Sequence, residues 1–309
     1  MLCAPCLYTR SHTVCRALNL SLIFTQLVWF VGFPASMGVI VVYVFNEEYK
    51  LIRKEKRNGM VSAGSYLLAR TLLEAPMIVL LSICAVSVSG YGVMRFHASN
   101  FHLLVAIHAL MLWAFESMAL LFSVLFDNPL LGMLMYMNFW FAAFLFSGLM
   151  VRESSVVWPL RAFCYVLPLK FSVQGMAIIE FDGPDFAGAQ TAPCPASLAS
   201  TPPVGCTYNL VGEDGFTCPD MLSQQGCYGA TGKQVLESIG QQFKLITSDP
   251  DTLSRDFAYI LGIGAFFKFS YILVFMLKTM KSSKITERPG AGHGDAGAIT
   301  RGTRAAAAV

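Results

Sequence analysis

Long runs without charge dominate the chain. Residues 17–46 carry none, and neither do residues 75–94. Residues 101–126 are apolar apart from Glu116, His102 and His108. Residues 128–151 are uncharged, and residues 257–277 are interrupted only by Lys268. About 20 apolar residues suffice to cross the bilayer core as a helix. The strict alternation of a membrane barrel is absent. The pattern therefore predicts five transmembrane helices, over about 20–45, 67–91, 101–126, 129–151 and 257–277. The expected fold class is an all-α integral membrane protein, a polytopic helix bundle.

Composition supports this class and excludes others. Apolar residues make up 55% of the 309 and charged residues 13%, where about 25% charged is usual in soluble domains. Mean hydropathy is +0.57. A disordered or nucleic-acid-binding chain needs far more charge. The net charge of +3 is too small to demand an anionic partner. The expected surroundings are a lipid bilayer, with no nucleic acid; which membrane is left open.

The few charges set an orientation. Residues 46–57, NEEYKLIRKEKR, hold Lys50, Arg53, Lys54, Lys56 and Arg57, and the C-terminal end holds Lys278, Lys281, Lys284 and Arg288. By the positive-inside rule both face the cytoplasm. Five spans then put the N-terminus outside, yet residues 1–17 carry Arg10 and Arg16 and lack the apolar run of a signal peptide. Their role as a leader is unclear, and a further span upstream is one explanation. The tail, residues 282–309, is expected to be disordered and cytoplasmic.

Residues 46–58 are the most ordered polar segment. Asn46 suits an N-cap, Glu47 and Glu48 the first turn, Lys56 and Arg57 the last, and Asn58-Gly59 a stop. A short amphipathic helix on the cytoplasmic surface is expected. It is either a basic linker that fixes topology and binds acidic lipid headgroups, or a contact surface for a partner.

Residues 152–255 then face outside. Residues 156–181 have apolar runs broken by Pro159 and Pro168, each too short to cross, and read as re-entrant or interfacial helices. Residues 182–232, rich in Gly, Pro, Ser and Thr, read as loop. Cys194, Cys206, Cys218 and Cys227 fall here. An even number in an oxidising compartment suggests disulfides, with three pairings open. Free thiols or a zinc site are the alternatives, and the spacings of these four cysteines, 12, 12 and 9, hold no CxxC pair to favour zinc.

Several residues in order resemble a known family. Glu48-Tyr49-Lys50-Leu51, then Glu55, Gly59 and Ser65-Tyr66, is similar to a pattern after the second transmembrane helix of ABC transporters of the G subfamily (White and pleiotropic-drug-resistance type). Leu73-Glu74-Ala75-Pro76 resembles their L-x-E-x-P, and Phe146-Ser147-Gly148-Leu149-Met150 the end of their fifth helix. Trp158, Tyr165, Pro168 and Glu180-Phe181 follow in register, and Phe267-Lys268 with Tyr271 resembles a motif in the last helix. The resemblance runs over residues 18–288. It implies that the five spans are helices two to six of a six-helix ABC-2 type transmembrane domain, residues 18–281. Residues 46–58, with Glu48, Arg53, Glu55 and Gly59, would be the coupling helix that receives motion from a nucleotide-binding domain. Residues 152–255 would be the large extracellular loop with re-entrant helices and disulfides.

ATP-binding machinery is not found. The nearest approach, Gly226 to Gln234, has its glycines six apart, lacks the Ser or Thr for Mg²⁺, and lies on the outer side. The expected chain is a permease without its own motor, with no catalytic residue, no bound metal and no cofactor. ATP and Mg²⁺ would be held by a partner nucleotide-binding domain or half-transporter chain, in a homo- or heterodimer. The motor is on another chain, upstream, or lost.

The resemblance also places a substrate path. Phe33, Ser36 and Met37 of helix two and Met137, Phe141 and Phe144 of helix five would line a central cavity at the dimer interface, soft contacts for a hydrophobic small molecule. Such residues also commonly face lipid or pack. Leu149 and Met150 match the plug at the cavity's outer end. Pro34, Gly32 and Gly38 suit a kink or, more simply, close helix packing. Glu116 and Lys268 are intramembrane charges, each costing roughly 2.5–3.5 kcal/mol at a helix centre, so partners are expected. The expected function is ATP-driven export of hydrophobic or lipid-like substrates. The alternatives are a truncated or non-transporting membrane protein, receptor-like or structural, and an ion-coupled carrier, although no repeated halves are visible.

Overall fold

A computed structural model describes residues 30–94, 100–147, 156–158, 160–181, 190–193, 214–217, 232–233, 236 and 252–286. Its helices are α1 (Phe30–Arg57), α2 (Ala63–Ala85), α3 (Phe101–Leu125), α4 (Pro129–Leu145), α5 (Phe163–Val166), α6 (Leu169–Phe181) and α7 (Thr252–Thr286). A π-helical stretch, Val86–Met94, prolongs α2. Two four-residue antiparallel strands, β1 (Gln190–Pro193) and β2 (Asp214–Thr217), stand in the segment expected to be all loop, with Gln190 opposite Thr217.

Four helices are long and apolar enough to cross a membrane: α1, α2 with its π-helical extension, α3 and α7. The fourth expected span, 129–151, forms the shorter apolar helix α4 of 17 residues. It starts sharply because Asn128 Oδ1 accepts from the Leu130 amide at 3.0 Å and Pro129 occupies the first helical position. The last span is longer than expected, for α7 has 35 residues. It begins before the predicted residue 257 and runs past residue 281, so the first residues assigned to the tail are helical.

α3 is the axis of the bundle. It packs against α1, α2, α4, α6 and α7, and 56% of its apolar window is buried. Ile107, Met111, Phe115 and Met118 centre the main core. α2 is the peripheral helix, with only 22% buried. Leu68, Leu72, Met77 and Leu80 are exposed along it, the surface a lipid-facing helix presents. Cys84, also on α2, is a free and exposed thiol.

The short helix α6 is more deeply placed than an interfacial helix would be. It packs on α3 and α7, and all its residues but Lys170 and Ile178 are buried. Gly175 faces Ile107 so closely that a Cβ there would overlap the isoleucine side chain. The chain is thus an integral, multi-pass helical membrane protein.

The expected surface helix over residues 46–58 is not a separate element. The backbone continues as one helix, Gly38–Arg57, without a break at Asn46. Asn46 is therefore not an N-cap. Its Nδ2 is buried and donates to Ser123 O and Phe126 O, each at 2.7 Å. Those carbonyls belong to the end of α3, where intrahelical donors run out. Tertiary demand from α3 overrides the local capping preference. The stop after Arg57 is as expected. Gly59 takes φ 76°, its amide bonds Lys56 O at 3.0 Å, and the Met60 amide bonds Glu55 O at 3.1 Å. That is the paired closure of a Schellman motif.

Candidate functional site

The site is built where α1, α2, α3 and α7 meet. At the basic end of α1, Tyr49 sets its ring edge-on to Phe275 of α7, with centroids 5.5 Å apart, while Tyr66 of α2 stacks on the same Phe275 at 5.6 Å. Leu67, Leu120, Val124 and Tyr271 complete this second apolar cluster. The resemblance singled out Tyr49, Tyr66 and Tyr271 without a structural role. Their shared role here is to hold α1, α2 and α7 together.

Glu48 projects from α1 into the gap to α2. Its Oε1 accepts from the Tyr66 hydroxyl at 2.8 Å, and its Oε2 from Arg70 Nη1 at 3.2 Å. Arg70 also lies over the Phe45 ring, 3.5 Å from its centroid. Ser65, beside Tyr66, belongs to the N-terminal turn of α2, where its amide bonds the Ser62 hydroxyl at 3.1 Å. Glu47 and Lys50 form an exposed pair at 2.7 Å on the far face. Of the residues expected in the coupling segment, Glu48 is therefore an internal tie rather than a free docking group. Arg53 remains exposed and Glu55 half-buried, near the end that Gly59 closes.

Deeper along α2 lies the ion pair that sequence reasoning missed. Lys268 of α7 donates to both oxygens of Glu74, at 2.6 Å to Oε1. The two side chains are 8% and 3% exposed. So the partner expected for Lys268 is Glu74. Glu74 stands in the resemblance but is not read there as an intramembrane charge, because it borders an uncharged run and reads as the run's edge. The signal that could have found it is the pairing rule itself, since a lone intramembrane lysine requires a carboxylate.

Glu116 of α3 stands near this pair, within electrostatic reach of Glu74, Lys268 and Arg70. It lines a cavity of about 450 Å³ together with Pro34, Met37, Arg70, Glu74 and Tyr136. The cavity opens between α1 and α2, with α3 as its floor.

On its other side α1 is seated on α4. Tyr136 Oη donates to Ala35 O at 2.6 Å, and Trp140 Nε1 to Gly32 O at 3.0 Å. A Cβ at Gly38 would fall on the Tyr136 hydroxyl. The Gly32, Pro34 and Gly38 cluster thus serves close packing, with a tightened turn where the Met37 amide reaches Pro34 O at 3.1 Å. Among the expected path residues, Phe33, Met37, Met137 and Phe141 are exposed, Ser36 is half-buried, and Phe144 is buried against Trp140 and α1. Helices α1 and α4 do lie side by side. Leu149, Met150, Cys194, Cys206, Cys218 and Cys227 lie outside the described residues.

His108 is buried in the core and meets Ser82 Oγ at 3.2 Å. Among the described residues no group of three or more His, Cys, Asp or Glu side chains could hold a metal ion. The arrangement is an ion-paired helix bundle with a cavity beside the ion pairs.

No curated protein matches the chain. The family model described as "ABC-2 type transporter" matches residues 8–181, more than half of the chain. The matched stretch takes in α1 to α6 and ends on the last residue of α6. With its apolar helices packed around α3, the chain belongs to the ABC-2 type transporter family and forms the membrane permease part of an ABC-type transporter.

Proposed function

We propose that the chain is the permease of an ATP-driven exporter of the G-subfamily type, moving hydrophobic or lipid-like molecules and working as a dimer. The basic end of α1 is the coupling segment. An ATP-binding domain, on this or another polypeptide, pushes on it through Arg53 and Glu55. Phe33, Ser36, Met37, Met137, Phe141 and Phe144 line the path between two copies, with Leu149 and Met150 closing it outside.

One observation carries this reading. The helix that bears the coupling residues runs on, through one tightened turn at Met37, into the helical segment that bears Phe33, and Glu48 fastens it to Tyr66 and Arg70 of α2. A push at the basic end has no flexible joint in which to dissipate between Gly38 and Arg57. A surface-lying segment on a hinge would not transmit it.

The test is to purify the tagged full-length protein from its native membrane in mild detergent and label it with a photoreactive ATP analogue. The expected result is a labelled ATP-binding domain that is part of the same polypeptide or co-purifies with it, released by combining Arg53→Glu and Glu55→Lys where it is a separate polypeptide. Recovery of the protein with no ATP-binding domain associated would refute the reading.

A further inference from the structure

The cavity between α1 and α2 is walled by apolar side chains and carries an unbalanced charge. Three ionisable side chains line it, Arg70, Glu74 and Glu116, and two more, Glu48 and Lys268, pair with the first two. Glu48, Glu74 and Glu116 are acids, and Arg70 and Lys268 are bases. Both Glu74 oxygens are taken by Lys268. Arg70 Nη1 is taken by Glu48, and the guanidinium face by Phe45. Glu116 is the carboxylate left over. Among the described residues it has no hydrogen bond and no ion pair.

A carboxylate inside a membrane bundle is costly without a partner. Here it lines a space of about 450 Å³, with Leu112, Met77 and the edge of the buried Phe115 among the other walls. That volume is in the range of small-molecule sites. An apolar cleft with one surplus acid is the chemistry that receives a cation carried on a hydrophobic body. A neutral lipid would leave Glu116 unmatched, and an anion would be repelled by it.

The geometry points to a ligand site inside a single subunit, between α1, α2 and α3, for lipophilic organic cations, with Glu116 as the counter-charge. It lies within one subunit, shares Met37 with the path proposed between two copies, and requires neither dimerisation nor ATP.

The probe is tetraphenylphosphonium, a permanent lipophilic cation, with triphenylphosphine oxide as its neutral comparator. Binding is measured calorimetrically on the full chain in lipid nanodiscs without nucleotide. The cation is expected to bind wild type, and Glu116→Gln to weaken it roughly tenfold or more, as loss of one member of a buried charge pair does. Glu116→Asp keeps most of the affinity. Triphenylphosphine oxide is expected to bind wild type more weakly than the cation, and Leu112→Trp fills the space and abolishes binding of the cation. Helical circular dichroism and a single gel-filtration peak confirm that each variant is folded. Equal affinity of the cation for wild type and Glu116→Gln would overturn the site. So would failure of wild type to bind it, the result expected if another segment of the chain covers the cavity. Neither result bears on association with an ATP-binding domain, so this site and the permease reading fail independently.

Discussion

Two ion pairs tie the peripheral helix α2 to its neighbours, and they differ in depth. Glu74–Lys268 joins α2 to α7 with side chains 3% and 8% exposed. Glu48–Arg70 joins α2 to α1 near the basic end, with side chains 31% and 20% exposed. The deep pair has both acid oxygens on one ammonium. The shallow one is shared between a guanidinium and a phenol, beside an aromatic cluster. A buried pair is expensive to break because the survivor is stranded without water, whereas a partly wet pair adjusts. The deep pair therefore fixes where α2 sits, and the shallow one decides whether α1 and α2 move together.

The largest expected effect comes from Lys268→Met. It strands Glu74 and should cost about 3–5 kcal/mol, read as a steep fall in the thermal midpoint of the detergent-solubilised protein. Adding Glu74→Gln should restore much of the loss, and a double variant no better than the single one would show that the pair is not the cause. Next comes Asn46→Leu, which removes the donor shared by Ser123 O and Phe126 O and should cost about 1–3 kcal/mol in the same melt.

Glu48→Gln should cost about 1 kcal/mol or less, since it keeps a polar partner for Tyr66. Its effect belongs in activity. ATP hydrolysis by the associated ATP-binding domain should continue while substrate movement in proteoliposomes falls. Stability loss equal to that of Lys268→Met would erase the distinction between the two pairs. The smallest effect is expected from Lys50→Ala. Its pair with Glu47 is half exposed, so the melt should shift by no more than about 0.5 kcal/mol.

The long helices were legible because the membrane imposes a length of uncharged sequence that nothing else in the chain imitates. The stop at Asn58-Gly59 was legible because a left-handed C-terminal residue favours glycine locally. Asn46 was misread for the opposite reason. Its nearest neighbours make it a plausible cap, and its real partners are 77 and 80 residues away. Glu74 and Lys268, 194 positions apart, share that difficulty. In the span expected over 129–151 the helix ends at Leu145, although the apolar run continues, and residues 148–151 lie outside the described residues. Glu116 was recognised as an anomaly from composition alone. Its cavity could not be, because a space between α1 and α2 is a property of packing.

Whether α1 and α2 form one lever is most directly tested by spin labels on unnatural amino acids at positions 54 and 68, in the complex with its ATP-binding domain. A rigid pair requires the same interspin distance with ATP and with ADP in wild type, and a broadened, nucleotide-dependent distribution in Glu48→Gln. A distance that changes with nucleotide in wild type would contradict the lever.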